Sequence, residues 1–298
     1  MKVLVLGGSG LVGSHLLRAA AAAGHPVVGT YRRHPLPGLV PLDGADTPAM
    51  ARLLAAERPD AVIHAGGWTW VDGCEDDPAR AFAENAEQPA ALGRLCHVAG
   101  IPFAYISTSY VFDGESGPYP ESAMANPINV YSQSKWAGEQ QVLAATEGAA
   151  LLPRVICVYG REAQKKNFGY QVLTALREGR TLTLPADQCG NPTWAGDIGR
   201  WVLRLLELRD RGVWHLGGPW PECTRPEWTE RLVAAFRQAG VVPHPAFTLR
   251  TVTTAELGQK ARRPLRAGMI SERTGSLGFQ PSDFNATVAQ LLTAPSPA

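Results

Sequence analysis

The chain has 298 residues, 45% of them hydrophobic and 18% charged, the composition of an ordinary globular protein. Its 28 basic and 27 acidic residues leave a formal charge of +1, which argues against bulk attraction to nucleic acid or an anionic membrane, so any anion binding must be local. No run approaches the roughly 18 apolar residues of a membrane span. The opening MKVLVLGGSG lacks the sections of a secretory signal, and the five cysteines (Cys74, Cys96, Cys157, Cys189, Cys223) contain no CxxC pair. Reduced thiols in a cytoplasmic protein, monomer or homodimer, are the expectation.

Residues 2–6 form a short apolar run ending in glycines and predict a strand. A helical stretch runs through residues 16–23, Gly24, His25 and Pro26 stop it, and residues 27–30 predict the next strand. Residues 48–57 then predict a helix, 61–65 a strand, 79–99 one long helix ended by Gly100, and 103–107 a strand. A helix over about 132–145 and a strand near 151–158 continue the series. Alternation of this kind implies right-handed crossovers and an α/β fold, a Rossmann-type doubly wound parallel sheet with helices on both faces. Short Val-, Ile- and Leu-rich strands without alternation suit a sheet buried on both sides.

Beyond Gly160 the rhythm loosens. Residues 170–177, 198–208 and 227–238 predict helices and 213–216 a strand, while 220–226 and 241–245 are rich in Pro and Gly. The expected division is a nucleotide-binding domain over residues 1–160, to which residues 193–218 return, and a smaller C-terminal substrate-binding lobe from 161–192 and 219–298. The tail, 293–298, is expected to be disordered.

Gly7, Gly8, Ser9, Gly10, Leu11, Val12 and Gly13 join the first strand to the first helix. Glycines there permit a tight turn and close approach of backbone N–H groups to a pyrophosphate, which the helix dipole also attracts. The alternative is a purely structural turn. An acid about 20 residues further on would hold a ribose 2′-hydroxyl, whereas arginine suits a 2′-phosphate. Here stand Thr30, Tyr31, Arg32 and Arg33, with no acid before Asp43. NADP(H) is therefore expected as cofactor, with NAD(H) as second choice, unless Arg32 and Arg33 are merely solvated. Gly7, Ser9, Gly10, Leu11, Val12, Gly13, Tyr31, Arg32, Arg33 and Asp43 are the expected contacts, joined by Ala65, Gly66 and Lys135.

Tyr131 and Lys135 lie four apart where a helix should begin, hence on one face, about 6 Å apart along the axis. A tyrosine at its reference pKa of about 10 is a poor acid–base group at neutral pH, and lowering it by about three units needs roughly 4 kcal/mol. A solvated cation 4 Å away supplies only about 1 kcal/mol. The pair is therefore expected to be partly desolvated. A surface Tyr–Lys pair would be the default reading but for Ser107, Thr108 and Ser109 at the end of a predicted strand, where open α/β sheets bind ligands. There Thr108 would hydrogen-bond a substrate oxygen while Tyr131 moves the proton, which suits hydride transfer to a carbonyl.

Taken together, these residues resemble the extended short-chain dehydrogenase/reductases and, among them, the dTDP-4-dehydrorhamnose reductase branch. The resemblance runs over nearly the whole chain: the glycine loop, residues 107–114, Pro118 to Glu121 before Asn129 and Tyr131, Gly138-Glu139, residues 187–193, and Ala261-Arg262-Arg263-Pro264. It implies Thr108, Tyr131 and Lys135 as the catalytic set, with Asn85 shaping the site through its carbonyl. It also implies reduction of a 4-keto sugar carried on a nucleoside diphosphate. Ser109 stands where the branch usually has Asp, Ser132 where it has Gly, Leu11 where Gln is frequent, and Cys157 in the place of a sugar-flanking Trp.

Trp68 and Trp70, where the branch carries small residues, are read either as a stacking wall of the pocket or as core. Ser109, Asn167, Gln188, Thr193 and Arg262 complete the expected substrate contacts; Arg262 and Arg263 suit a diphosphate, or are a surface pair, and the segment around Gln188 and Thr193 is otherwise a turn. His64 reads as a satisfied strand-end histidine. The seven histidines show no HExxH or close pair, so no metal is expected. Two other functions stay open: a reductase of a carbonyl compound without a nucleotide, and a non-catalytic cofactor-binding subunit like that of methionine adenosyltransferase. Retention of Thr108, Tyr131 and Lys135 together argues against the second.

Overall fold

The first strand is apolar at every position because its side chains enter two cores in turn. Val3 and Val5 pack on one face of the sheet with Leu16, Leu17 and Ile198, while Leu4 and Leu6 pack on the other with Met50, Leu92 and Val142. The computed structural model describes residues 1–220 and 222–293; of the tail expected to be disordered, 294–298 lie outside the described residues.

In chain order the first elements are β1 (Val3–Leu6), α1 (Leu11–Ala22), β2 (Val27–Tyr31), β3 (Leu39–Pro41), α2 (Thr47–Glu57), β4 (Ala61–His64), α3 (Val71–Asp76), α4 (Pro78–Phe82), a π-helical turn (Ala83–Glu87) and α5 (Gln88–Val98). They continue as β5 (Phe103–Tyr105), β6 (Ser107–Thr108), α6 (Val130–Ala145), β7 (Leu151–Val155), β8 (Val158–Tyr159), α7 (Phe168–Glu178), β9 (Thr181–Pro185), β10 (Cys189–Gly190) and β11 (Thr193–Trp194). Last come α8 (Ala195–Glu207), β12 (Gly212–Leu216), β13 (Cys223–Thr224), α9 (Arg225–Gln238), β14 (Thr248–Val252) and α10 (Phe284–Gln290). The main sheet runs β12-β7-β5-β4-β1-β2-β3, with β6 also on β7, and its pairings are parallel. It winds outward from β1 in both directions, the doubly wound Rossmann arrangement.

Helices α1 and α8 cover one face and α2, α5 and α6 the other. Gly199 lets α8 come close to α1, since a Cβ there would stand 2.8 Å from the His15 carbonyl oxygen. A further apolar cluster joins Tyr159 and Trp194 to Tyr170, Trp228, Phe236 and Leu291, and so knits α7, α9 and α10 together. Among the described residues no helix is long and apolar enough to cross a membrane.

Three expectations about elements are corrected. The single helix over 79–99 is interrupted by the π turn at Ala83–Glu87. Pro89 is the cause we assign: it has no N–H for the carbonyl four residues earlier, that of Asn85, and its ring crowds that carbonyl. The expected strand over 103–107 breaks at Ile106 into β5 and β6. Finally, the strand expected near 151–158 breaks at Ile156 and Cys157 into β7 and β8. Beyond these, β9 and β14 pair in parallel, Thr181 opposite Thr248 through Pro185 opposite Val252, in a region whose exposed Thr and Arg positions gave no strong apolar signal.

His15, His64 and His215 are buried, and burial is the main cause that pulls them down, to about 3, about 3 and about 4. Neighbouring Arg18, Lys135 and Arg154 act in the same direction. The unfolded chain binds these protons at about pH 6.5 and the folded chain does not, so stability falls as pH drops below about 6.5. Between pH 7 and pH 5 the unfolding free energy should decrease by about 2 kcal/mol per histidine, as measured by urea titration at each pH. A flat profile would refute the buried neutral imidazoles.

Candidate active site

A cavity of about 680 Å³ opens along the carboxyl ends of β1, β2, β4, β5 and β6, within the range of small-molecule sites. Gly7, Ser9, Gly10, Leu11 and Val12 line one end, Arg32 and Arg33 its rim, Ala65, Gly66 and Trp68 its middle, and Thr108, Tyr131 and Lys135 the far wall. Asn167 also lines it, its amide donating to the Gly160 carbonyl at 2.8 Å.

The glycine loop is shaped by close approach. Gly7 has φ +81°, and a Cβ on it would lie 2.7 Å from the Gly66 nitrogen; a Cβ on Gly13 would lie 2.1 Å from the Gly7 oxygen. Gly13 thus packs under the loop instead of lining the cavity. Gly10 caps α1 without a side-chain hydrogen bond, and the first turn carries no acid. The helix therefore presents free N–H groups and its positive end, as an anionic pyrophosphate requires. A dinucleotide fits this cradle.

At the rim, Arg32 bonds Glu84 at 2.6 Å, Arg80 bonds it at 2.8 Å, and Arg33 lies 3.8 Å away. Burial works against the Glu84 charge, but the hydrogen bonds from Arg32 and Arg80 prevail and hold its carboxyl below the usual range. Three guanidinium groups on one carboxylate leave the rim cationic. Tyr31 and Asp43 do not line the cavity; the Asp43 carboxylate accepts the Ala45 N–H at 3.1 Å.

At the far wall Asn129 caps α6 in a capping box, accepting from Ser132 N–H at 2.8 Å while the Ser132 hydroxyl accepts from Asn129 N–H at 3.1 Å. Ser132 thus starts the helix that carries Tyr131 and Lys135. Lys135 Nζ donates to the Ile106 carbonyl at 2.7 Å and lies 3.9 Å from the centre of the Tyr105 ring. Burial pulls Lys135 down to about 7, with Glu139 opposing. Tyr131 is pushed well above its usual value by burial, and a hydrogen bond with Thr108 opposes that push. Both groups are desolvated, and the Lys135 ammonium bonds a carbonyl and faces a ring.

Asn85, wholly buried in the π turn, anchors this wall. Its amide donates to the Trp68 carbonyl and to Ser134 Oγ, both at 3.0 Å, and its Oδ1 accepts the Trp68 N–H at 2.8 Å. The Tyr105 hydroxyl donates to its backbone carbonyl at 2.5 Å. Gly138 admits this contact, since a Cβ there would sit 2.1 Å from the Asn85 oxygen.

Several expected substrate contacts lie elsewhere. Thr193 is fully buried, its hydroxyl donating to Asn191 O and accepting Gly218 N–H, which makes it a turn lock. Gln188 donates to Thr254 and Gln259 outside the cavity, and Arg262 is exposed beside Glu115. Ser109 is buried off the cavity lining, with no partner for its hydroxyl among the described residues. Trp70 is 62% exposed and lies off the lining, so it is neither pocket wall nor core, whereas Trp68 lines the cavity under the Arg80 guanidinium at 4.0 Å. Missed from sequence were Glu84, Tyr110 and Arg225 on the lining. Nothing local marks them; only the helix spacing of Arg80 and Glu84 hinted at a pair.

The RmlD substrate binding domain family matches residues 1–296. The chain belongs to this family of extended short-chain dehydrogenase/reductases. That places it among the NAD(P)-dependent oxidoreductases. A probable low-salt glycan biosynthesis reductase of Haloferax volcanii is 32% identical over 99% of this chain and 98% of its own length. A dTDP-4-dehydrorhamnose reductase of Streptomyces griseus is 30% identical over 93% of this chain and 88% of its own. A solved structure described as a hypothetical dTDP-4-dehydrorhamnose reductase from Sulfolobus tokodaii has a TM-score of 0.82 at 30% identity, covering 95% of this chain and 98% of that one.

In this RmlD-family chain the wall is stiffened by a buried ion pair. Arg154 Nη2 and Nε meet the two Glu139 oxygens at 2.7 and 2.9 Å, and Ser107 Oγ donates to Glu139 at 2.5 Å. Glu139→Gln leaves the Arg154 charge buried without its partner and should cost about 3–5 kcal/mol in urea unfolding. A loss under about 1 kcal/mol would show the pair to be dispensable.

Proposed function

We propose that the protein reduces the 4-keto group of a nucleoside-diphosphate sugar with hydride from NADPH, accepting NADH less well. The observation that carries this reading is the meeting of Thr108, Tyr131 and Lys135 on the wall of one cavity whose other end is the glycine cradle. Relatives named as keto-sugar reductases support the nucleotide sugar as substrate class.

The cofactor, when bound, supplies the hydride. Tyr131 holds the proton: its raised pKa keeps the phenol protonated at neutral pH, the form that ketone reduction consumes. Thr108, on the same cavity wall as that phenol, orients a carbonyl oxygen against it. As the phenol gives up its proton, the Thr108 hydroxyl and the Lys135 ammonium one turn along α6 offset the new negative charge. Lys135, held at about 7, is matched to passing a proton back at neutral pH. The cationic rim formed by Arg32, Arg33 and Arg80 favours the 2′-phosphate of NADP(H) over a bare ribose.

One observation favours a second reading. Gln188, Thr193 and Arg262, the expected grip on the nucleotide, lie off the cavity lining, which suits a carbonyl substrate with no nucleotide. Oxidation of NADPH followed at 340 nm with 4-keto sugar nucleotides and with small ketones separates the two. Tyr131→Phe should lower kcat about 10²–10⁴-fold while NADPH binding persists; unchanged turnover would remove Tyr131 as proton donor. Replacing Arg32 and Arg33 by alanine should raise KM for NADPH by about tenfold or more and hardly change it for NADH. Equal effects on the two would refute the rim as a phosphate site.

A further inference from the structure

Arg225 stands on the lining of the active cavity together with Tyr110, Tyr131 and Cys157. Its guanidinium stacks 4.9 Å from the Phe168 ring centre and 5.2 Å from that of Trp228, an arrangement that fixes the plane of the fork while leaving its N–H groups free to bond. The acids nearest in sequence are engaged elsewhere. Glu222 bonds Arg266 at 3.0 Å, and Glu227 accepts from the backbone N–H and hydroxyl of Thr224 at 2.7 and 2.9 Å. No carboxylate among the described residues forms an ion pair with Arg225.

Ion pairing among the described residues does not account for this residue. Arg225 is the first residue of α9, where the helix dipole disfavours a cation. A half-buried guanidinium without a counter-charge is costly as well. The other cations of the lining are differently placed: Arg32 and Arg33 meet Glu84, Lys135 is held by the Ile106 carbonyl, and Lys166 is exposed rather than held between rings. The field of Arg225 reaches the reacting end of the cavity, where it opposes the upward push of burial on the Tyr110 hydroxyl and the Cys157 thiol. The Tyr110 ring centre is 6.0 Å from that of Tyr131.

We propose that Arg225 is a specificity-determining anion clamp: the substrate carries a phosphate or carboxylate group that meets this guanidinium inside the active cavity. The inference deepens the nucleotide-sugar reading and rests on it for the identity of the substrate. Two sources of the anion share this chemistry, the diphosphate of the carrier and a carboxylate on the sugar ring.

Calorimetric titration of the protein saturated with NADP, which keeps the cofactor site filled, separates them without requiring turnover. Wild type, Arg225→Met and Arg225→Lys are titrated with pyrophosphate, UDP-glucose and UDP-glucuronate, and thermal unfolding and NADP affinity check that each variant is folded. Arg225→Met keeps the stacking bulk and loses the charge, and should weaken binding by about tenfold or more; Arg225→Lys should restore part of it. An equal loss for all three probes assigns the clamp to phosphate, and a loss confined to UDP-glucuronate assigns it to a carboxylate. If wild type binds neither nucleotide but loses pyrophosphate affinity on Arg225→Met, the nucleotide-sugar reading fails and the clamp stands. Binding by folded Arg225→Met equal to wild type for every probe, or no binding of any probe by wild type, overturns the proposal.

Discussion

The site depends on an ammonium group taken out of water. Lys135 is buried, and it remains there because the chain breaks between β5 and β6 at Ile106, leaving that residue's carbonyl free to accept Nζ at 2.7 Å. A continuous strand would have used its carbonyls in the ladder. The Tyr105 ring adds a second partner, and Glu139, one turn further along α6, adds a negative charge. Glu139 is itself clamped by Arg154 on β7 and Ser107 on β6. A single helix is thus tied by buried charge to two neighbouring strands, and the phenol of Tyr131 inherits its position from that lock. Buried ion pairs are weak evidence for stability; their value here is that α6 has one register against the sheet.

The second constraint is a proline. Pro89 denies the Asn85 carbonyl a helical partner, the helix widens into a π turn, and the Tyr105 hydroxyl takes that carbonyl instead. The same Tyr105 ring lies under Lys135. Asn85 and Lys135 are therefore joined through one tyrosine, although they sit on different helices and only Asn85 departs from regular helical geometry. Gly138 is needed because two backbones meet there, closer than any side chain would allow.

These couplings explain what was legible in the sequence. Features decided by neighbours along the chain could be read: the alternation of strands and helices, the glycine loop with its tight turn, and the four-residue spacing of Tyr131 and Lys135. The π turn was not, because a proline inside an apolar helical pattern announces a disturbance without saying where the freed carbonyl will go. Nor was the pairing of β9 with β14, whose Thr181–Pro185 and Thr248–Val252 segments are joined by register alone. Thr193 and Gln188 misled for a related reason. A polar residue in a Pro-containing segment looks like a ligand contact, and only the folded chain shows that its hydrogen bonds end on Asn191, Gly218, Thr254 and Gln259.

The near-neutral chain also shows how little net charge says about a site. Around the cavity the charges are held differently, with Arg32, Arg33 and Arg80 gathered on Glu84 and Arg225 set between aromatic rings. The first group is a cationic cluster that a buried carboxylate holds in shape, so its geometry exists before any phosphate arrives and little ordering entropy remains to be lost on binding. Arg225 is held by aromatic faces instead, which restrict its direction without neutralising it. Two ways of holding arginine thus give two kinds of preset geometry: a cluster fixed by a shared carboxylate, and a single fork oriented by aromatic rings.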